Sequence, residues 1–117
     1  MKILGLAWLG TRAADFDAMV RFAEDVLGLS RAFEHDGVVG FKLPDGSLLE
    51  IFAPGVPAGG HPPEGVVGGF EVDDLTAARA QLDAAGMEVG ELQTAGGGAW
   101  FYFRAPDGNL YELVGSA

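Results

Sequence analysis

The chain has 117 residues and a mass of 12.2 kDa, room for one compact domain at ordinary domain sizes. Its 49% hydrophobic and 21% charged residues are those of a folded globular protein rather than a disordered one. Lys and Arg number 7 against 17 Asp and Glu, a net charge of −10 with no Cys at all, which argues against nucleic-acid phosphates and anionic lipid as partners and removes disulfides, thiolate metal sites and Cys nucleophiles.

Ile3 to Thr11 reads as a strand leading through a short polar turn into a helix from Asp15 to Gly28, with Asp15 as N-cap and Gly28 as stop. Phe16, Met19, Val20, Ala23, Val26 and Leu27 recur at three- and four-residue steps and draw one stripe for burial. Extended runs come next at Arg31 to His35, Val38 to Leu43 and Leu48 to Ala53. Pro54 to Pro63 is too rich in Pro and Gly for a helix or central strand and reads as a linker. Val66 to Val72 is the next strand, and Asp74 to Gly86 a second capped helix with Leu75, Ala78, Leu82 and Ala85 as its stripe. Glu88 to Leu92, Ala99 to Arg104 and Leu110 to Val114 complete the chain as strands, with Gly96-Gly97-Gly98 as a hairpin loop. No apolar run approaches the roughly 20 residues of a membrane helix, and a soluble, cytoplasmic protein is expected.

The chain is written twice. Phe41-Lys42-Leu43-Pro44-Asp45-Gly46-Ser47-Leu48-Leu49-Glu50 and Phe103-Arg104-Ala105-Pro106-Asp107-Gly108-Asn109-Leu110-Tyr111-Glu112 share Phe, Pro, Asp, Gly, Leu and Glu at one constant offset. Each Pro-Asp-Gly supplies a turn joining the last two strands of its half. The unit is βαβββ, repeated, with boundaries at about 1–54, a linker at about 55–65, and about 66–117. Each half alone is too small for comfort, so the two are expected to form a single α+β domain.

Alternation puts Leu48, Glu50 and Phe52 on one strand face, and Leu110, Glu112 and Val114 on another. A carboxylate on an apolar face needs a partner, a metal, water or a proton, and its presence at both equivalent positions favours a functional cleft over two wetted rim residues. Two facing carboxylates suit proton abstraction beside a carbonyl or recognition of a cation. Trp8, Phe41, Phe52, Trp100 and Phe103 are available to stack on a planar molecule. His35 sits before an Asp-Gly turn and His61 among prolines, both as loop residues.

Asp15-Phe16-Asp17, Asp25-Val26-Leu27-Gly28-Leu29, Gly69-Phe70-Glu71-Val72-Asp73-Asp74-Leu75 and Ala105-Pro106-Asp107-Gly108-Asn109-Leu110-Tyr111-Glu112-Leu113 together resemble the vicinal oxygen chelate superfamily of glyoxalases, bleomycin-resistance proteins and extradiol dioxygenases. The resemblance implies paired βαβββ modules forming a curved mixed sheet around a cleft, helices outside, often in a homodimer. It implies metal ligands on the first and last strands of each module. Glu50 and Glu112 match the last-strand positions, whereas Trp8 and Val67 stand where His is usual. The expectation is therefore a small-molecule-binding protein without the usual metal, with Trp8, Glu50, Phe52, Val67, Trp100, Phe103 and Glu112 around an aromatic or cationic ligand. The alternative is an enzyme, a lyase, isomerase or dioxygenase assisted by Mn, Ni, Zn or Fe, or a metal-free acid–base catalyst, using Glu50 and Glu112. A domain that only dimerises is a third reading, which leaves the twin glutamates unexplained.

Overall fold

The computed structural model describes residues 1–56 and 65–116. Its elements in chain order are β1 (Ile3–Arg12), α1 (Phe16–Arg21) continued by a π-helical turn (Phe22–Val26), β2 (Arg31–His35), β3 (Val38–Lys42), β4 (Leu48–Phe52), β5 (Gly65–Val72), α2 (Leu75–Ala84), β6 (Glu88–Val89), β7 (Gln93–Ala95), β8 (Gly98–Arg104) and β9 (Leu110–Ser116). The class is α+β, with parallel and antiparallel pairing in both halves. The chain divides into two compact units, Trp8–Val67 and Met1–Ala7 with Gly68–Ala117.

In the Trp8–Val67 unit the strands run in the order β2-β3-β4-β1. β1 pairs parallel with β4, so that Gly10 lies opposite Glu50. β4 pairs antiparallel with β3, placing Gly40 on the other side of Glu50, and β3 pairs antiparallel with β2, placing Phe33 opposite Gly40. Asp15 caps α1 by accepting from Ala18 N at 3.0 Å. Val20 and Ala23 bury against Val39, Phe41, Leu49 and Ile51, and Phe16, Met19 and Leu29 close the edge of this core.

The expected stripe breaks at the π-helical turn. Leu27 N bonds to Phe22 O at 3.0 Å, a five-residue step that adds a residue to the turn and rotates the end of the helix away from the sheet. Val26 is 70% exposed and Leu27 51%, so neither joins the core that the helical spacing gave them.

In the other unit β5 pairs parallel with β9, β9 antiparallel with β8, and β8 with both β6 and β7. The strand expected over Glu88 to Leu92 ends at Val89, and a separate short strand, β7, starts only at Gln93; between them the Gly90 N–H donates to Tyr102 O at 2.7 Å. Asp74 caps α2 through Ala77 N at 3.0 Å, and Leu75 and Ala78 bury against Val72, Ala99, Phe101 and Leu113. The chain start is tied to this unit, Lys2 N donating to Asp73 Oδ1 at 3.1 Å and accepting from Asp73 N at 3.2 Å through its carbonyl. Gly96 and Gly97, with φ of 59° and 85°, make the two-residue turn between β7 and β8, where both positions need the left-handed region.

The duplicated Pro-Asp-Gly turns are built alike. Gly46 N bonds to Leu43 O and Gly108 N to Ala105 O, both at 2.9 Å. Asp45 accepts from Ser47 N and Asp107 from Asn109 N, again both at 2.9 Å. The Ser47 hydroxyl and then its N–H hold the Asp45 carboxyl below the ordinary carboxylate range, and the Asn109 N–H and then the Tyr111 hydroxyl do the same for Asp107.

Candidate functional site

Residues paired across a sheet share a face. On the face of the Trp8–Val67 unit opposite α1 lie Trp8, Gly10 and Arg12 from β1, Glu50 and Phe52 from β4, Val38 and Gly40 from β3, and Phe33 and His35 from β2. Glu50 is at the centre, half-buried, between two glycines. The glycines leave room for rings: a Cβ on Gly10 would stand 2.2 Å from the Trp8 indole, and one on Gly40 would stand 2.2 Å from the Phe33 ring. An aromatic ring therefore lies on each side of the carboxylate.

Trp8 is 7% exposed, and its indole Nε1 donates to Glu50 Oε1 at 2.6 Å, a short, charge-assisted bond. Trp8 is the hydrogen-bond donor to Glu50 among the described residues, so the second carboxylate oxygen is left for another group. Burial pushes the Glu50 carboxyl above its ordinary value, while the Trp8 bond and the nearby His35 pull it down by favouring the charged form. His35 is exposed and stacks on Phe33 with ring centroids 5.3 Å apart and planes 14° from parallel. Phe52 is 3% exposed under the Arg12 guanidinium, 5.6 Å from its ring centre. Arg12 Nη1 also donates to Ala53 O at 2.7 Å.

Glu112 occupies the corresponding place in the other unit. It lies opposite Gly69 on β5 and Tyr102 on β8, is 4% exposed and does not stand without a partner. Trp100 and Tyr102 share its face, which is the one opposite α2. The Trp100 indole Nε1 is buried with no hydrogen-bond acceptor among the described residues.

The structure thus joins Trp8, Glu50 and Phe52 on one face of one unit, and Trp100 with Glu112 on one face of the other; Val67 is buried in the first unit. Phe103 is on the opposite face from Glu112, packed at the edge of the core under α2, because it is odd in register where Glu112 pairs with an even residue. Phe41 is fully buried on the α1 side. His61 lies outside the described residues. Phe33 and Arg12 were not among the expected site residues; a Gly beside Glu50 in two neighbouring strands was the available signal, since a missing Cβ on a sheet face marks a close approach.

The family's metal fits these residues poorly. An indole nitrogen has no lone pair to give, and here its N–H is spent on Glu50 Oε1. No group of three or more His, Asp or Glu side chains able to hold a metal ion occurs among the described residues.

The sequence matches, over residues 5–113, the family model described as the glyoxalase/bleomycin resistance protein/dioxygenase superfamily. Among solved structures, a methylmalonyl-CoA epimerase from Mycobacterium tuberculosis aligns at TM-score 0.76 and 21% identity, covering 98% of this chain and 89% of that one. A Mn(II)-bound glyoxalase from Novosphingobium aromaticivorans aligns at 0.76 and 24%, covering 97% and 39%. An extradiol ring-cleaving dioxygenase from B. fuscum aligns at 0.79 and 20%, covering 99% and 33%. At these identities the structural likeness shows the fold alone. No curated protein matches the sequence.

Proposed function

The chain belongs to the glyoxalase/bleomycin resistance protein/dioxygenase superfamily, and from that premise we propose that it binds a small planar organic cation on the Glu50 face, without a metal at that face. The observation that carries this reading is the Glu50 carboxylate, fixed through one oxygen by Trp8, on a sheet face where the Phe33 ring lies over the neighbouring Gly40. A fixed anion in a partly desolvated aromatic setting favours a cation whose flat body covers the ring. Trp8 and Phe52 are both buried and are not the stacking surface. The excess of acidic residues steers cations toward the protein at low salt.

Isothermal titration with benzamidine, a planar aromatic amidinium, tests the reading. One molecule binds per chain, and Glu50→Gln weakens binding at least about tenfold, the loss of one charge-assisted contact. Equal binding by the wild type and Glu50→Gln would refute it.

One observation favours a second reading, acid–base catalysis by Glu50. Burial raises the Glu50 carboxyl toward the range where a carboxylate serves as general base or acid, and an epimerase is among the similar folds. An enzyme of this kind loses turnover, with folding intact, in Glu50→Gln.

A further inference from the structure

The opposite face of the Trp8–Val67 unit holds a feature that the Glu50 reading does not use. Between α1 and the edge strand β2 lies a cavity of about 180 Å³, and Phe16, Glu34 and Val39 carry its wall on into a second hollow of about 430 Å³ beside the β2–β3 turn. Its floor is apolar, made by Phe16, Val20 and Val39. Four charged side chains stand around it: Asp17, Arg21, Arg31 and Glu34.

Two of these charges are already satisfied. Arg31 holds Glu24 through Nε and Nη2 at 2.8 and 3.0 Å, and its Nη1 engages Glu34. The other two are not. Asp17 and Arg21 stand one helical turn apart on α1, the spacing at which opposite charges ordinarily pair, yet they form no ion pair with each other, and neither side chain has a hydrogen-bond or ion-pair partner among the described residues. Both line the cavity. The site therefore offers one free anion, one free cation and an apolar floor between helix and sheet.

We infer that this cavity is a binding site for a free aliphatic α-amino acid. Arg21 takes the carboxylate, for which a guanidinium fork is suited, Asp17 takes the ammonium group, and Phe16, Val20 and Val39 take the side chain. A simple anion or a simple cation engages only one of the two unpaired charges. A zwitterion satisfies both at once. The inference is independent of the Glu50 reading, since the two sites are on opposite faces of the sheet.

The test uses L-leucine on the full chain by isothermal titration, with N-acetyl-L-leucine and L-leucinamide as controls that each remove one charge. Asp17→Asn and Arg21→Gln are exposed substitutions that leave the core intact, as thermal unfolding verifies. L-leucine binds at one site, each capped derivative binds at least about tenfold more weakly, and each variant loses about the same factor. Glu50→Gln leaves L-leucine binding unchanged, and Arg21→Gln leaves benzamidine binding unchanged, so the two sites fail or stand separately. Absence of L-leucine binding would overturn the inference, as would capped derivatives that bind equally well, or NMR evidence that Asp17 and Arg21 pair with each other and close the cavity.

Discussion

The indole of Trp8 donates to the carboxylate of Glu50 at 2.6 Å, across two strands that pair in parallel and 42 residues apart in sequence. This bond couples the first and last strands of one βαβββ half, at the two positions that the family resemblance matches to metal ligands. It uses a carboxylate oxygen that a metal would need and spends it on holding the side chain in one orientation. A carboxylate so held is the centre of the proposed cation site.

Replacing Trp8 by Phe keeps the ring but removes the donor. We expect a loss of about 2 kcal/mol, the scale of a hydrogen bond to a charged group, measured by urea unfolding at neutral pH. The Glu50 carboxyl also moves further up, because the lost bond favoured its charged form, and carbon-detected NMR titration of the Glu50 carboxyl in both proteins reads this directly.

Glu50→Gln has an opposite and pH-dependent effect on stability. The folded-state carboxyl lies above its ordinary value, so between the two values the native chain binds more protons than the unfolded chain, and stability falls as pH rises through that window. Gln keeps an acceptor for Trp8 Nε1 without the buried charge. The variant therefore gains on the wild type in melting temperature as pH is raised from about 4 to neutrality. A gap that stays constant over that range would show that Glu50 is not desolvated.

Gly10→Ala and Gly40→Ala test the ring placement. Each new Cβ meets an aromatic ring at 2.2 Å, far inside van der Waals contact, so the ring must leave. Each substitution is expected to cost about 1–3 kcal/mol, the usual range for overpacking, and Gly10→Ala shifts the Trp8 fluorescence by drawing its N–H off Glu50.

The π-helical turn predicts a sharp contrast along one stripe of α1. Val26→Ser, at a residue 70% exposed, changes stability by no more than about 0.5 kcal/mol. Val20→Ala, at a residue 4% exposed in the core, costs about 1–3 kcal/mol. Thermal and chemical unfolding of the two variants separates the observed turn from a continuous α-helix, in which both would be costly.

Much of the architecture was legible because it rests on local rules repeated in sequence. The Asp15 and Asp74 caps, the two Pro-Asp-Gly turns and the alternation around Glu50 and Glu112 all derive from residue type and spacing. The added residue of the π-helical turn did not, since a five-residue hydrogen bond is a tertiary compromise that leaves Val26 at a helical position and outside the core. Phe103 was misplaced for a related reason: an aromatic in a strand apolar on both sides carries no mark of its face until its register with Tyr111 is known. Phe33 was passed over because its role depends on Gly40, a neighbour only after β2 and β3 pair. Trp8 and Glu50 could each be singled out in the sequence, but the bond between them could not, because it depends on the parallel register of β1 and β4.

The most direct test of the Glu50 site is a pair of ¹H–¹⁵N spectra of the labelled protein with and without benzamidine. The chain has two Trp, Trp8 in one unit and Trp100 in the other, so its indole region holds two Nε1–H signals, and Trp8→Phe identifies which is which. If a planar cation binds at Glu50, the Trp8 Nε1–H signal moves with saturation, because it is bonded to the carboxylate that the ligand engages, and the movement is lost in Glu50→Gln. A Trp8 signal that stays in place while benzamidine binds elsewhere, or that moves equally in Glu50→Gln, would contradict the assignment of this face as the ligand site.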